Sequence, residues 1–417
     1  MKIALSAGLG RLHFFTTAQA LCRSGVNVCL ICGWIPRKVN SIFIWVLSRI
    51  VGYDLRSGFE KRQIKTDGLD VCPCALSDFF DKILILVFRR ILLRFGIDPI
   101  WGWKLFGLQS RKHIKGCDIF HVRSGAGHGG AMTLARSLGI PIVVDHSIAH
   151  PAFMDANLKN EYERMSVPFD LGMDSKFWKM VIEDCQSADI LLVNSHFVRD
   201  TFIDQGYPSD KIRVVYLGVP ESFLNINSFE KDYSRRRNWQ LLFTGAFGFR
   251  KGGEYILEAM KILRRNSQFN VELKCVGSTS QGESLIAKYK NDNLPVVFTG
   301  PKPQEMLRKY MKEADIYVFP SLAEGCAKSG MEAMAAGMCV VSTHESGLPI
   351  VDGENGYLVQ SKNAIALAER IEWLMQHPNN ITRVGKAAAQ FIRYNYSDDD
   401  YTRNLRKIYS ELLEAKK

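Results

Sequence analysis

Residues 314–343 read ADIYVFPSLAEGCAKSGMEAMAAGMCVVST. Within them Ile316, Tyr317, Val318 and Phe319 make a short run of β-branched and aromatic residues that Pro320 stops, which predicts a buried strand. The segment SGMEAMAAG predicts a helix from near Ser329 to Gly337. Glu324 therefore lies on the loop after a strand, and Glu332 on the helix that follows. Small residues fill the turn between them.

The same strand-then-helix rhythm runs outward in both directions. KIALS leads through a glycine turn to the helix FFTTAQALCRSG and the strand VNVCLIC, and CDIFHV, IPIVVDH, DILLVNS and IRVVYLGV follow. Alternation of this kind predicts a parallel sheet covered on both faces. Residues 228–240, SFEKDYSRRRNWQ, are charged and without pattern and read as a linker, with a domain boundary near 225–238. The rhythm then restarts with LLFTGA, GEYILEAMKILRRN, VELKCVG, PVVFTG, IYVFP and CVVST. The expected fold is α/β, with two doubly wound domains over residues 1–224 and 239–395. The amphipathic segment 396–417 is expected to be a helix that packs back on the first domain.

The chain has 417 residues, 47% of them hydrophobic, and a formal net charge of +11. The charge favours an anionic partner: nucleic acid, an acidic membrane face or a phosphorylated ligand. No segment reads as a known DNA- or RNA-binding module, so nucleic acid is not expected. The 10 cysteines, with Cys72 and Cys74 in a CPC pair, are expected to be free thiols of a reducing compartment rather than a zinc ribbon. MKIALSAGLG reads as a first strand rather than a signal peptide, and no apolar run reaches the ~18 residues of a membrane span. Cytoplasmic residence is the expectation. Residues 34–115 break the rhythm. SIFIWVLSRIVGY and FFDKILILVFRRILLRFGIDPIWGWKLFG are apolar and aromatic, with Arg89, Arg90, Arg94 and Lys104 interspersed. Such helices lie against anionic lipid, here at the inner face of the plasma membrane; the other reading is an insertion that completes the N-terminal core.

The Glu-x7-Glu segment resembles that of the retaining glycosyltransferases of the GT-B fold, the group 1 or family 4 type. SAGLGRLHFF, CDIFHVRS, IPIVVDHS, ADILLVNSHFVRDTFIDQGYPSDKIRVVYLGVP, LLFTGAFGFRKGGEYILEAM, VVFTGPKPQEMLRKYMKEADIYVFPS and DGENGYLV continue the likeness over most of the chain apart from residues 34–115. The resemblance implies two Rossmann-like domains facing a central cleft. It implies transfer of a sugar from a nucleotide-sugar, with retention of configuration, to a glycan or lipid-linked acceptor of the cell envelope. The donor would sit on the C-terminal domain and the acceptor on the N-terminal one. Glu324 would hold sugar hydroxyls, Glu332 the ribose hydroxyls, and His146 would lie near the transferred sugar. Two positions depart from the pattern. Ala246 stands where the family often has Arg after the glycine matched by Gly245, leaving Arg250 as the substitute, and LPIVDG lacks the Glu of Pro-Glu-Ile-Val.

The residues themselves support such a ligand. Eight helical positions span about 12 Å, whereas the paired carboxylates of a glycosidase stand roughly 5–9.5 Å apart across one bond. The pair suits the two ends of an extended molecule, and a carboxylate accepts two hydrogen bonds from a vicinal diol. Gly325, Cys326, Ala327, Lys328 and Ser329 open the helix, where free N–H groups favour a phosphate; Lys328 adds charge there or projects into solvent. Arg250 and Lys251 follow the strand LLFTG and are placed to stabilise a leaving phosphate. Gly245 and Gly300 complete the expected donor set with Gly10. The expected catalytic set is His146, Arg250, Lys251 and Glu324. Gly8, Gly10, Arg11 and Arg123 are the expected acceptor contacts; His121 and His150 are weaker candidates. GLGRLH lacks the third glycine of a dinucleotide fingerprint and VCLICGW lacks the acidic residue that reads a ribose, so NAD is not expected. Asp398 and Asp400 read as a helix cap, not a metal site, and neither a metal nor another cofactor is expected. The alternatives are a nucleotide-sugar epimerase or phosphorylase of the same fold, and a non-catalytic sugar- or nucleotide-binding protein.

Overall fold

The computed structural model describes residues 1–10, 13–35, 68–79, 100–226, 231–233 and 238–416, together with positions 45, 46, 48, 49, 56 and 81. Arg11, Arg89, Arg90 and Arg94 lie outside the described residues. Apolar runs covered by helices on both faces pair as parallel strands. Seven form the first sheet: β1 (Lys2–Ser6), β2 (Asn27–Cys32), β3 (Asp70–Pro73), β4 (Ile119–Arg123), β5 (Ile142–His146), β6 (Ile190–Val193) and β7 (Ile212–Val214). Their spatial order is β3-β2-β1-β4-β5-β6-β7, with every pair parallel. Six form the second sheet: β8 (Asn238–Thr244), β9 (Asn270–Val276), β10 (Val296–Phe298), β11 (Ile316–Phe319), β12 (Cys339–Ser342) and β13 (Tyr357–Leu358). Here the order is β10-β9-β8-β11-β12-β13, again all parallel. This is the two-sheet, doubly wound architecture expected from the sequence.

In each sheet the order reverses once, between β1 and β4 and between β8 and β11. Loops leaving two such strands diverge and open a crevice at their carboxyl ends. The glycine turn after β1 and the loop after β4 border one crevice. Segments 245–251 and 320–327 border the other.

Three local features refine the sequence reading. Residues 34–115 supply an edge strand, β3, and the helix Ile100–Ile114, so part of the insertion completes the N-terminal sheet. β8 begins at Asn238, inside the segment read as linker, and Tyr233 of that segment is buried and stacks on Trp239 at 5.4 Å. At the last helix, Asp398–Glu414, the capping atom is the Ser397 hydroxyl, which accepts from the Asp400 N–H, while the Asp400 carboxylate accepts from the Ser397 N–H. That helix buries Tyr401, Leu405, Ile408 and Tyr409 against Ile3, Leu5, Phe14 and Leu21 of the first domain. The chain thus passes between the sheets twice. The passages touch where Val219 bridges Ser397 and its N–H donates to the Tyr396 carbonyl at 2.9 Å. No described helix is long and apolar enough to cross a membrane.

Candidate active site

The loops after β8 and β11 are joined by their backbones. Leu322 N–H donates to the Arg250 carbonyl at 2.8 Å, and the Arg250 guanidinium donates to the Ala323 carbonyl at 2.9 Å. A Cβ on Gly252 would come within 1.9 Å of the Pro320 carbonyl oxygen, so glycine permits the approach. Glu324 is thereby set against the two cations that precede the helix Gly253–Asn266: its Oε1 stands 2.7 Å from Arg250 and 2.9 Å from Lys251. Burial alone would raise the Glu324 carboxyl, but Arg250 and Lys251 hold it below the usual carboxylate range. The Lys251 ammonium also lies over the Phe319 ring, 4.8 Å from its centre.

Glu332 behaves differently. It sits on the helix Lys328–Ala335, which ends at Gly337 in a left-handed turn. Only 7% of the residue is exposed. Among the described residues its carboxylate has neither a hydrogen bond nor an ion pair. Burial raises its pKa and Lys328 offsets only part of the effect. At the start of the same helix the Ser329 hydroxyl donates to the Thr244 carbonyl at 3.1 Å and accepts from Tyr317 at 3.0 Å, fixing the helix to β8 and β11. Ala327 N–H is occupied by the Ser346 carbonyl, whereas the N–H groups of Lys328 and Ser329 have no acceptor among the described residues. The Lys328 side chain is exposed. Gly245, Gly277 and Gly300 adjoin along the rim: a Cβ on Gly277 would meet the Gly245 carbonyl at 2.0 Å, and Gly277 N–H donates to the Gly300 carbonyl at 3.1 Å.

Across the cleft, β5 ends in Asp145 and His146. His146 Nδ1 lies 2.9 Å from the Ser124 hydroxyl, and its Nε2 is buried without a partner. Burial, with His150 nearby, lowers its pKa to about 3, so the ring is neutral at pH 7. Burial would raise the Asp145 carboxyl, but His13 at 2.8 Å and His121 at 3.5 Å hold it well below the usual range. The Arg123 guanidinium has no hydrogen bond or ion pair among the described residues; burial lowers its pKa to about 10, against the pull of Asp145. Its guanidinium lies over the Trp103 ring at 5.0 Å, and a Cβ on Gly8 would meet that same ring at 2.6 Å. Gly10 stands against Arg123 from the other side: a Cβ there would meet its Nη1 at 2.4 Å.

Gly8, Gly10 and Arg123 therefore come together, as do Gly245, Arg250, Lys251 and Glu324. His121 and His150 are occupied elsewhere. His121 contacts the Tyr409 hydroxyl at 2.6 Å, and His150 caps the helix Pro151–Glu163 by accepting from Ala152 N–H. Sequence reasoning missed His13, Ser124, Asp145 and Trp103. It also missed Asp184, whose carboxylate accepts from Gly125 N–H at 2.7 Å and Gly127 N–H at 2.9 Å and so holds the loop after β4. The two crevices meet at Gly325. A Cβ there would fall 2.0 Å from the Ser147 carbonyl oxygen, and the Ser195 hydroxyl donates to the Gly325 carbonyl at 2.5 Å. Asn157 donates to the Leu322 carbonyl at 2.5 Å, and Leu322 and Ala323 pack into the N-terminal core.

Two family profiles match the chain: Glycosyltransferase Family 4 over residues 11–223 and Glycosyl transferases group 1 over residues 226–395. An uncharacterized glycosyltransferase of Methanocaldococcus jannaschii is 26% identical over 348 residues, covering 74% of this chain and 88% of that protein. The amylovoran biosynthesis glycosyltransferase AmsK of Erwinia amylovora is 29% identical over 234 residues, 54% of this chain and 56% of that protein. Anabaena HepE, solved in complex with UDP-glucose, superposes with a TM-score of 0.59 at 15% identity, covering 99% of this chain and 100% of that one. The fold is GT-B.

Proposed function

The chain belongs to the group 1, family 4 glycosyltransferases, and from that premise we propose that it moves a hexosyl group from a nucleotide-sugar to a glycan or lipid-linked acceptor with retention of configuration. The observation that carries the donor assignment is Glu332, a buried carboxylate whose oxygens have no partner within the described protein. A ribose diol supplies the two donors it lacks. Glu324 takes sugar hydroxyls while its cations take the diphosphate. HepE with UDP-glucose supports a donor of this class, and AmsK supports a place in polysaccharide synthesis.

The reaction needs no separate nucleophile. The acceptor oxygen attacks the anomeric carbon on the face that the phosphate leaves. The C–O bond to the acceptor forms, the C–O bond to the phosphate breaks, and the acceptor proton passes to the departing phosphate oxygen. Arg250, Lys251 and the N–H groups of Lys328 and Ser329 stabilise the negative charge that grows on that phosphate, a charge greater in the transition state than in the ground state. This reading assigns that work to the protein and makes the reaction independent of a metal ion. Neutral His146 presents Nε2 to a hydroxyl of the transferred sugar. Arg123, with Gly8, Gly10 and the face of Trp103, receives an anionic portion of the acceptor. Contact between the domains at Gly325 excludes water from the reacting bond. Trp101 is 49% exposed on the helix that carries Lys104, which supports a position against an anionic membrane surface.

The test is thermal stability against a panel of UDP-, GDP-, ADP- and CMP-sugars, with and without EDTA, for wild type and Glu332→Ala. A shift with one base, insensitive to EDTA and lost in the variant, is the expected result. No shift with any of them would overturn the donor site. Formation of a glycosylated acceptor with the same donor separates transfer from epimerisation.

A further inference from the structure

Away from the cleft, β2, β3 and the helix Ile100–Ile114 bring Cys29, Cys72 and His113 together. Their two sulfurs and a ring nitrogen all lie within 4.8 Å of one another. In the parallel ladder Cys29 pairs with Asp70 and Ile31 with Cys72, so the two thiols meet diagonally on one face of the sheet. The sulfurs stand 2.9 Å apart, beyond the ~2.0 Å of a disulfide. Both cysteines are buried, and His113 Nε2 is buried with no hydrogen-bond partner. A buried polar nitrogen without a partner is costly unless a ligand takes it. Cys29 and Cys32 form a C-x-x-C, but their thiols join the cores on opposite faces of β2. Cys32 is therefore not part of the cluster.

We propose that Cys29, Cys72 and His113 bind one thiophilic divalent cation of the zinc class, with water or the Asp70 carboxylate, 3.9 Å from Cys72 Sγ, as the fourth ligand. Zinc takes sulfur, imidazole and carboxylate in tetrahedral array, and two thiolates at about 2.3 Å from it stand roughly 3.8 Å apart. The sulfurs need only separate by about 1 Å to reach that spacing. Each thiol gives up its proton to solvent and no electron changes hands, so two protons leave for each ion bound. Lys112, close to Cys72 and His113, offsets the charge of the dithiolate. Bound metal would pin the edge strand β3 and the helix that carries Trp103 to the sheet. This site is independent of the reading of the cleft.

The experiment uses the full chain without a polyhistidine tag. Wild type grown with zinc is expected to keep about one ion per chain through gel filtration. Reduced, metal-free protein titrated with Co²⁺ is expected to develop a thiolate-to-metal charge-transfer band and to release about two protons per ion. Cys72→Ser and His113→Gln each should abolish the band while the circular dichroism spectrum is kept. If neither variant folds, competition between the metal-free wild type and a chromophoric chelator decides the matter. Absence of stoichiometric uptake by reduced wild type, uptake that persists in the Cys72→Ser/His113→Gln double variant, or a Cys29–Cys72 disulfide-linked peptide in freshly isolated protein would each overturn the proposal.

Discussion

Glu332→Gln should make the ligand-free protein more stable and the donor complex weaker. An unpaired polar group kept from water costs about 1–3 kcal/mol, more when charged. Because 7% of Glu332 remains exposed and water reaches it, the amide should recover at most about 1 kcal/mol. For a domain the size of residues 238–395 that is about 2–4 °C in midpoint. The pH dependence has a definite sign. The folded pKa of this carboxyl is raised by burial. The penalty is therefore present above the folded pKa and absent below the unfolded one, and the advantage of Gln should shrink as pH falls. Donor binding moves the other way, because losing a charged acceptor costs about 1.5–3 kcal/mol, or about 10- to 150-fold in Kd. Differential scanning fluorimetry with and without the nucleotide found by the panel reads both effects. A ligand-free midpoint that falls by several degrees would show that the carboxylate serves the fold. Unchanged nucleotide affinity would remove Glu332 from the donor site.

Lys251→Met keeps the aliphatic stem but removes the charge 2.9 Å from Glu324; turnover should fall about 10²- to 10³-fold, as when one fixed donor to a developing charge is lost, with a much smaller change in donor affinity. Nucleotide release in the steady state measures it, and wild-type turnover would contradict the assignment. In Gly325→Ala the new methyl must displace the Ser147 carbonyl, 2.0 Å away; overpacking of about 1–3 kcal/mol should be relieved by separation of the domains, seen as a larger radius of gyration in small-angle scattering with both domains still folded. His146 and His150 have pKa values lowered to about 3 and about 4, below the unfolded value. Stability should therefore be full above about pH 6.5 and decline toward pH 4, with a slope of at most ~1.4 kcal/mol per pH unit for each ring. Urea denaturation across that range should be flatter for His146→Gln than for wild type.

The sequence disclosed what is local. Glu324 and Glu332 are separated by one turn, and the strand and helix on either side fix where each points, so both could be placed before any fold was known. The same holds for Arg250 and Lys251, which lie on the short loop after β8, just before the helix Gly253–Asn266. Trp103 could not be placed that way. In GWK it read as an interfacial tryptophan, and only the packing of the helix Ile100–Ile114 sets it over Gly8 and Arg123. Asp145 looked like any strand-end carboxylate because its partner His13 lies 132 positions away. β3 escaped because four residues, one of them Pro73, carry no alternation. Tyr233 escaped because the charges around it hide a single buried ring. Cys29 and Cys72 were legible as cysteines but not as neighbours, since 43 residues and a parallel ladder separate them.

The contact between Val219 and Ser397 has a mechanical consequence. One connection between two bodies is a swivel: it lets them turn about any direction. Two connections lying side by side are a spine. Rotation about the line through them is cheap, while twist and shear must break the contacts that hold the strands together. Opening of the cleft is thereby reduced to one motion, like that of a book. If the domains part about that line, the Gly325 loop would leave Ser147 and Ser195 along one arc and return along the same arc, with its partners unchanged. A lid on a single tether would have to search for its register at each closure; one hinged on two joined strands would carry the register in its binding.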